Sequence, residues 1–339
     1  MKHKPIFILG RFRSGTSHFW HIFNQLSGFK AWYEPLHPQL LAQLTVTETK
    51  ADHVHIDDYW AAYRELTELP HFHDVRFGGE RLYLSAQESW PELRHYLDFL
   101  IDSSGDKRAV LQFNRMDFRL PWLKGFYPHA NVVYLKRNPL QLWCSQRKHI
   151  AADLRLYESY ADAYELMQWC ADLAPMFPFL APQPGRHAFY RFYVLYRLSV
   201  LMGTHHANVV IDLDEDVFNS NDYLDKLKKV SLSDEQLSTA LSLKHVPGRY
   251  DIEAGELEQL SAIMTEVDAL LTDSGLDDEF AGHTVAEIKR NNPNFWRQQK
   301  LDVSAVIREL THSWHQEQKD KIELLNALDK LSKQSKGNE

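Results

Sequence analysis

Apolar positions in this chain fall into short continuous runs that alternate with longer amphipathic stretches. Pro5–Leu9, Phe29–Tyr33, Ala109–Phe113, Asn131–Leu135 and Asn208–Leu213 are runs of the strand length and β-rich composition expected for buried strands. Between them the spacing turns helical. A helix is predicted from about Thr16 to Leu26, and a second from a Ser85-Ala-Gln-Glu88 capping box to about Asp102. A third is predicted to open with Asn138 as N-cap and Pro139 in its first turn. Residues 155–202 read as helices broken near Pro175–Gly185, and from about Ser233 onward the pattern is mostly helical and polar. Residues 45–85 are rich in His, Asp and aromatics with weak periodicity and read as an irregular insertion, while 301–339 reads as a helical tail with a charged end. Strands alternating with helices predict an α/β fold, a parallel sheet flanked by helices with a largely helical C-terminal part. No internal repeat divides the 339 residues, so one domain spanning 1–339 is expected.

Composition narrows the function. At 44% hydrophobic and 25% charged the chain has an ordinary globular makeup, and its net charge of -8 argues against generic binding to nucleic acid or anionic membrane. A site for a polyanion must therefore gather positive charge locally. Cys144 and Cys170 are too few for a disulfide framework and read as free thiols. Ile6–Leu9 is too short for a signal peptide, and there is no run of about 18 apolar residues, so a cytoplasmic protein is expected.

The first strand runs directly into Gly10-Arg-Phe-Arg-Ser-Gly-Thr-Ser17. A Gly/Ser/Thr loop between a strand and a helix can hold a phosphate, because backbone N–H groups and the positive helix end point at the anion. The spacing matches G-x-x-x-x-G-K-[ST], but Thr16 stands where a Walker loop has lysine. That lysine reaches the terminal phosphates of a nucleoside triphosphate, so its absence weighs against a kinase or ATPase. The charge sits instead at Arg11 and Arg13.

A second cluster follows the fourth strand. Arg137 stands at a strand end, where ligands bind in doubly wound sheets. Ser145 lies about two helical turns beyond Pro139, roughly 9 Å along the axis. Arginine and hydroxyl could grip one phosphate from two sides, with Arg147 and Lys148 adding charge.

Together the two clusters resemble the sulfotransferases that use 3′-phosphoadenosine 5′-phosphosulfate (PAPS). Arg13-Ser-Gly-Thr-Ser17 is similar to that family's [KR]-[ST]-G-T-[ST] phosphosulfate loop, and Arg137-Asn-Pro with Ser145 eight positions on is similar to its 3′-phosphate motif. Val110–Arg115, Leu120-Pro121 and Pro128–Val133 resemble the segment leading into the second motif, and Asp212–Phe218 is weakly similar to a later acidic strand end. The resemblance covers 4–40 and 109–150, faintly 207–230. It implies a P-loop-like fold, PAPS as donor, adenosine 3′,5′-bisphosphate as product, and Arg11, Phe12, Arg13, Ser14, Gly15, Thr16, Ser17, Arg137 and Ser145 as the cofactor-binding set. Two departures set the chain apart from the cytosolic aryl and steroid branch. No R-K-G-x-x-G segment is present, Lys289-Arg290 and Arg297 being basic without the glycines. Gln112-Phe113-Asn114 stands where a catalytic histidine segment would be.

Carbohydrate-type and bacterial members resemble the chain at Glu34-Pro35, whose glutamate would take the acceptor proton, with burial against Trp32 and Tyr33 raising its basicity. Glu34 as a structural partner of Arg11 or Arg13, and His37 as the base, remain open at this stage. Arg13 would stabilise the leaving group. No metal is expected, because arginines neutralise the phosphates. His71 and His73, and His205 and His206, form no convincing ligand set, and His71 and His73 read as solvated loop residues. The acceptor would be a hydroxyl-bearing small molecule or glycan. The alternatives are a P-loop kinase or NTPase, with Asp212 as metal-binding aspartate, and a nucleotide-binding protein without turnover; an oligomer is possible through the tail.

Overall fold

The computed structural model describes residues 4–45, 58–147, 166–183 and 185–336. Five parallel strands form one sheet: β1 (Ile6–Leu9), β2 (Phe29–Tyr33), β3 (Arg108–Phe113), β4 (Asn131–Lys136) and β5 (Val209–Asp212), in the order β2-β3-β1-β4-β5. β1 is central, with Leu9 level with Phe113 on one side and Tyr134 on the other. All four of its side chains are fully buried, which is why the strand reads as a continuous apolar run. Each such side chain contributes about 1.5–3 kcal/mol by leaving water. The chain leaves β1 toward β2 on one side and reaches β4 on the other. The loop after β1 therefore sits at the topological switch point, where the strand ends part to form a crevice.

The helices, in chain order, are α1 (Thr16–Gln25), α2 (Pro91–Asp102), α3 (Leu120–Phe126), α4 (Pro139–Arg147), α5 (Leu166–Leu173), α6 (Ala188–His206), α7 (Ser220–Lys228), α8 (Asp234–Ser242), α9 (Ala254–Ser274), α10 (Val285–Asn291), α11 (Pro293–Gln298) and α12 (Val303–Lys336), with several shorter turns between them. α1 buries Phe19, Trp20, Ile22 and Phe23 on the sheet. α6 crosses β4 closely: Tyr134 Oη and Ser199 Oγ are 2.7 Å apart, and a Cβ at Gly203 would lie 2.4 Å from the Tyr134 ring. Among the described residues no helix is long and apolar enough to cross a membrane.

Three elements differ from the pattern read in the sequence. Glu88 does accept from the Ser85 N–H, at 2.6 Å, but the bond closes an isolated turn; α2 opens at Pro91, whose missing N–H costs nothing in a first helical turn. The described part of 45–85 is irregular yet forms core, with Tyr63, Leu69, Phe77, Leu82 and Leu84 fully buried; residues 46–57 lie outside the described residues, as does the predicted helical stretch 155–165. His73 is not solvated. It is buried edge-on against Tyr96, and burial lowers its pKa, whereas His71 is exposed.

Candidate active site

The loops that follow β1, β2, β3 and β4 meet over the C-terminal edge of the sheet. They line a cavity of about 600 Å³ together with Ser242, Leu243, Lys244 and His245 from the far end of α8. Phe12, Arg13, Gly15, Thr16, Ser17, Glu34, Arg137 and Ser145, all singled out in the sequence, line it.

The loop after β1 is held open by backbone geometry. Gly15 has φ 85°, a left-handed conformation that suits glycine, and a Cβ there would meet Leu213 at 2.3 Å. Arg13 adopts φ 71° without being glycine. Glu34, at the end of β2, has φ 36°. Two strained non-glycine residues on one cavity mark it as a place where packing over-determines the backbone, at about 1–3 kcal/mol each. α1 begins at Thr16 with no side-chain cap, so its first N–H groups face the cavity mouth without a side-chain acceptor.

The two basic motifs converge. Arg13 Nε donates to Ser145 Oγ at 3.1 Å across a sequence gap of 132 residues. Gln146 Nε2 reaches the Phe12 carbonyl at 3.3 Å, tying α4 to the loop. Arg137 donates through Nη2 to the Gly248 carbonyl at 2.8 Å, while its Nε is buried with no hydrogen-bond partner; burial lowers its pKa. Asn138 caps α4 as predicted, accepting from the Leu140 N–H at 2.9 Å. Lys148 lies outside the described residues.

Glu34 is buried, and its carboxylate accepts from Arg115 Nη1 at 2.9 Å and Asn114 Nδ2 at 2.5 Å. Its partner is thus Arg115, not Arg11 or Arg13, and the indole of Trp32 turns aside to donate to Ser104 Oγ at 3.0 Å. Asn114 also accepts from Thr16 Oγ1 at 2.7 Å, which couples the end of β3 to the start of α1. Tyr33 Oη and Ser17 Oγ are 2.9 Å apart; burial, then the Glu34 charge, raises the Tyr33 pKa well above its ordinary value, so the phenol keeps its proton. His37 is not among the cavity-lining residues; its Nδ1 accepts from the Gln39 N–H at 3.1 Å and its ring packs on Trp60.

Two residues of the loop face elsewhere. The Arg11 guanidinium pairs with buried Asp117 at 3.2 Å and lies over the Trp169 ring at 4.4 Å, so its charge is spent in the core. Ser14 is buried with its hydroxyl turned under the loop: a Cβ at Gly10 would meet it at 2.4 Å. Asp212, the candidate metal ligand of the kinase reading, pairs with Lys136 at 2.9 Å and accepts from the Asp214 N–H, and it does not line the cavity. Among the described residues no group of three or more His, Cys, Asp or Glu could hold a metal ion. Neither Cys144 nor Cys170 is in a disulfide, the first being half-buried and the second buried.

The far wall was not legible in the sequence. Residues 243–250 leave α8 and lie across the site. Gln141 and Tyr250 exchange two hydrogen bonds, of 2.7 and 3.0 Å, and Tyr250 Oη donates to Ser145 Oγ at 3.4 Å. His245 stacks obliquely on His18 with ring centroids 5.7 Å apart, and His21 lines the cavity beside them. Burial, then the nearby His245 and His21, lowers the His18 pKa to about 4. Lys289, basic but without the glycines of the covering segment, lies over Trp296, and neither it nor Arg290 nor Arg297 lines the cavity. The signal that could have found the wall is Lys244-His-Val-Pro-Gly-Arg249, a basic Pro/Gly stretch between two helices.

Residues 5–192 match the family model described as sulfotransferase family, which is more than half of the chain. The chain belongs to the sulfotransferase family. Two bacterial sulfotransferase structures are similar to it. One, from Alicyclobacillus acidocaldarius, is 13% identical, with 85% of this chain and 99% of that one covered and a TM-score of 0.40. The other, STF9 from Mycobacterium avium, is 13% identical, with 79% and 77% covered and a TM-score of 0.41. No curated protein matches the chain in sequence. The family match ends inside α6, so the segment 243–250 lies beyond it.

Proposed function

We propose that the chain acts as one sulfotransferase domain that moves a sulfuryl group from PAPS to the hydroxyl of a small molecule or glycan. The observation that carries this reading is the 3.1 Å bond between Arg13 and Ser145, which brings the phosphosulfate-type loop and the 3′-phosphate-type motif onto one cavity. The residues suit a donor with phosphates at two positions: an uncapped helix start at one end, and the buried, unpartnered Arg137 Nε at the other. When bound, the donor supplies an activated sulfuryl group and a stable leaving phosphate.

The chain supplies the rest. Arg13 and the first N–H groups of α1 stabilise negative charge growing on the leaving side, without reorganising at the moment of transfer. Arg137 and Ser145 select a 3′-phosphate, which distinguishes the donor from ATP. Glu34, fixed by Asn114 and Arg115, accepts the acceptor proton. Arg115 is a positioning residue in this scheme.

Thermal unfolding with adenosine 3′,5′-bisphosphate against ATP/Mg²⁺ tests the donor. A ligand held at 100 times its Kd stabilises by about 2.7 kcal/mol. Stabilisation by the bisphosphate and not by ATP is expected; the reverse pattern overturns the reading. Labelled PAPS offered with glycans, phenols and lipids then identifies the acceptor class.

A further inference from the structure

The last helix, α12, runs for 34 residues, or about 51 Å at 1.5 Å per residue. Its first turns are anchored to the body. Ala305 is buried, and Glu309 forms a bidentate pair with Arg191 at 2.6 and 2.9 Å. The other face of the same turns is apolar and open: Val303, Ile307, Leu310 and Trp314 are 54, 57, 41 and 57% exposed. From Thr311 onward the described side chains are exposed, except for half-buried Ser313. An open apolar helix face gains from being covered, since most helical stability in proteins comes from burying one face.

The open residues follow a 4-3-4 spacing, the seam of a two-helix coil. Carried along the sequence, the same register falls on Glu317, Lys321, Leu324, Leu328 and Leu331. The seam is therefore apolar at both ends and carries two opposite charges at its middle. It is also palindromic about residue 319. Reflection there places position 307 opposite 331, 310 opposite 328, 314 opposite 324, and 317 opposite 321.

We propose that α12 pairs with α12 of a second copy of this chain as an antiparallel two-helix coil centred near Lys319. In an antiparallel pair each a position faces a d position, so Ile307, Leu310 and Trp314 of one copy meet Leu331, Leu328 and Leu324 of the other, and Glu317 meets Lys321 twice at the two-fold axis. A parallel pair would set Glu317 against Glu317 and Lys321 against Lys321 in the seam, and uncompensated like charges there are strongly unfavourable. The charge pattern thus selects both the partner, an identical chain, and the direction. This inference is independent of the catalytic reading.

Sedimentation or light scattering of the full chain tests it. A mass twice the 39.7 kDa of one chain is expected. Glu317→Lys and Lys321→Glu each place two like-charge pairs at the centre, and each is expected to weaken the dimer at least tenfold. The double change restores opposite charges and is expected to recover the dimer. Leu310→Asp with Trp314→Asp should give a monomer, and circular dichroism verifies that each variant is folded. A monomer at every soluble concentration overturns the proposal. So does a dimer indifferent to these changes, or one that the double charge reversal fails to rescue.

Discussion

The floor of the cavity is built where strands give way to loops and helices, with Phe12, Arg13, Thr16, Glu34, Arg137 and Ser145 lining it, whereas its far wall comes from residues 242–245, where α8 ends and an irregular segment begins. The floor residues are fixed by a parallel sheet whose central strand is fully buried, so their spacing along the chain already dictates where they stand. The wall has no ladder of its own. It is held by a few bonds to the floor: the Gly248 carbonyl on Arg137, Tyr250 on Gln141 and Ser145, and an ion pair from Arg147 to Glu256 just beyond it. The chemistry is placed by the half built on the sheet, whereas the wall depends on a few side-chain bonds to that half.

Removing the floor's chemistry should give the largest effects. Glu34→Gln is expected to lower kcat by roughly 10²–10⁴-fold, the usual scale for a general base, while the thermal shift with adenosine 3′,5′-bisphosphate is kept. Unchanged turnover would remove Glu34 from the mechanism. Arg13→Ala is expected to cost about 10²–10³ in kcat, as for loss of one preorganised donor; steady-state kinetics with saturating donor measures it. Next comes donor selection. Arg137→Ala should weaken the bisphosphate by about 1.5–3 kcal/mol, or about 10- to 150-fold in Kd by titration calorimetry, the range for a hydrogen bond to a charged group. It also frees the Gly248 carbonyl, so it joins the two regions. If the effect falls on kcat alone, Arg137 serves the reaction and not recognition.

The wall should answer more gently. Tyr250→Phe removes one hydroxyl and is expected to cost about 0.5–1.5 kcal/mol of bisphosphate affinity, seen as faster dissociation with little change in kcat. A loss as large as that of Arg137→Ala would mean that the wall is as rigid as the floor. A further effect concerns pH. His18 is held to about 4 by burial, His245 and His21, so the unfolded chain takes up its proton first as pH falls from about 6.5. Stability present above that range is lost progressively toward pH 4, and His206, also lowered to about 4, adds in the same direction. The urea midpoint should fall between pH 7 and 5, and His18→Gln should flatten that slope. A bound polyanion favours the protonated ring, so bisphosphate affinity should rise over the same interval. An unaltered slope in the variant would show that the contact between wall and α1 does not govern the titration.

The motifs that were readable are those contained in one strand, one loop and one helix. Gly10–Ser17 and Arg137–Ser145 each have that form, and the apolar runs flanking them fixed the sheet on which both stand. Arg11 was misjudged because a basic residue in a loop gives no sign of which way it points. Its partner, Asp117, lies 106 residues away in the short turn that follows β3. The start of α2 was misjudged because two local signals competed: Ser85 and Glu88 closed a turn, but Pro91 marked the first helical turn.

By itself the sequence determined the strands, the strand-to-helix loops and the residue types that hold anions, since these follow from local periodicity, capping and backbone conformation. It also carries the palindromic register of α12, since a heptad repeat is a property of spacing. Only the tertiary structure decided that Arg13 and Ser145 touch, that Glu34 is held by Arg115 and Asn114, that Arg11 belongs to the core, and that residues 242–245 line the cavity. Those contacts join residues from about 80 to more than 200 positions apart, or run through backbone carbonyls that carry no side-chain signature.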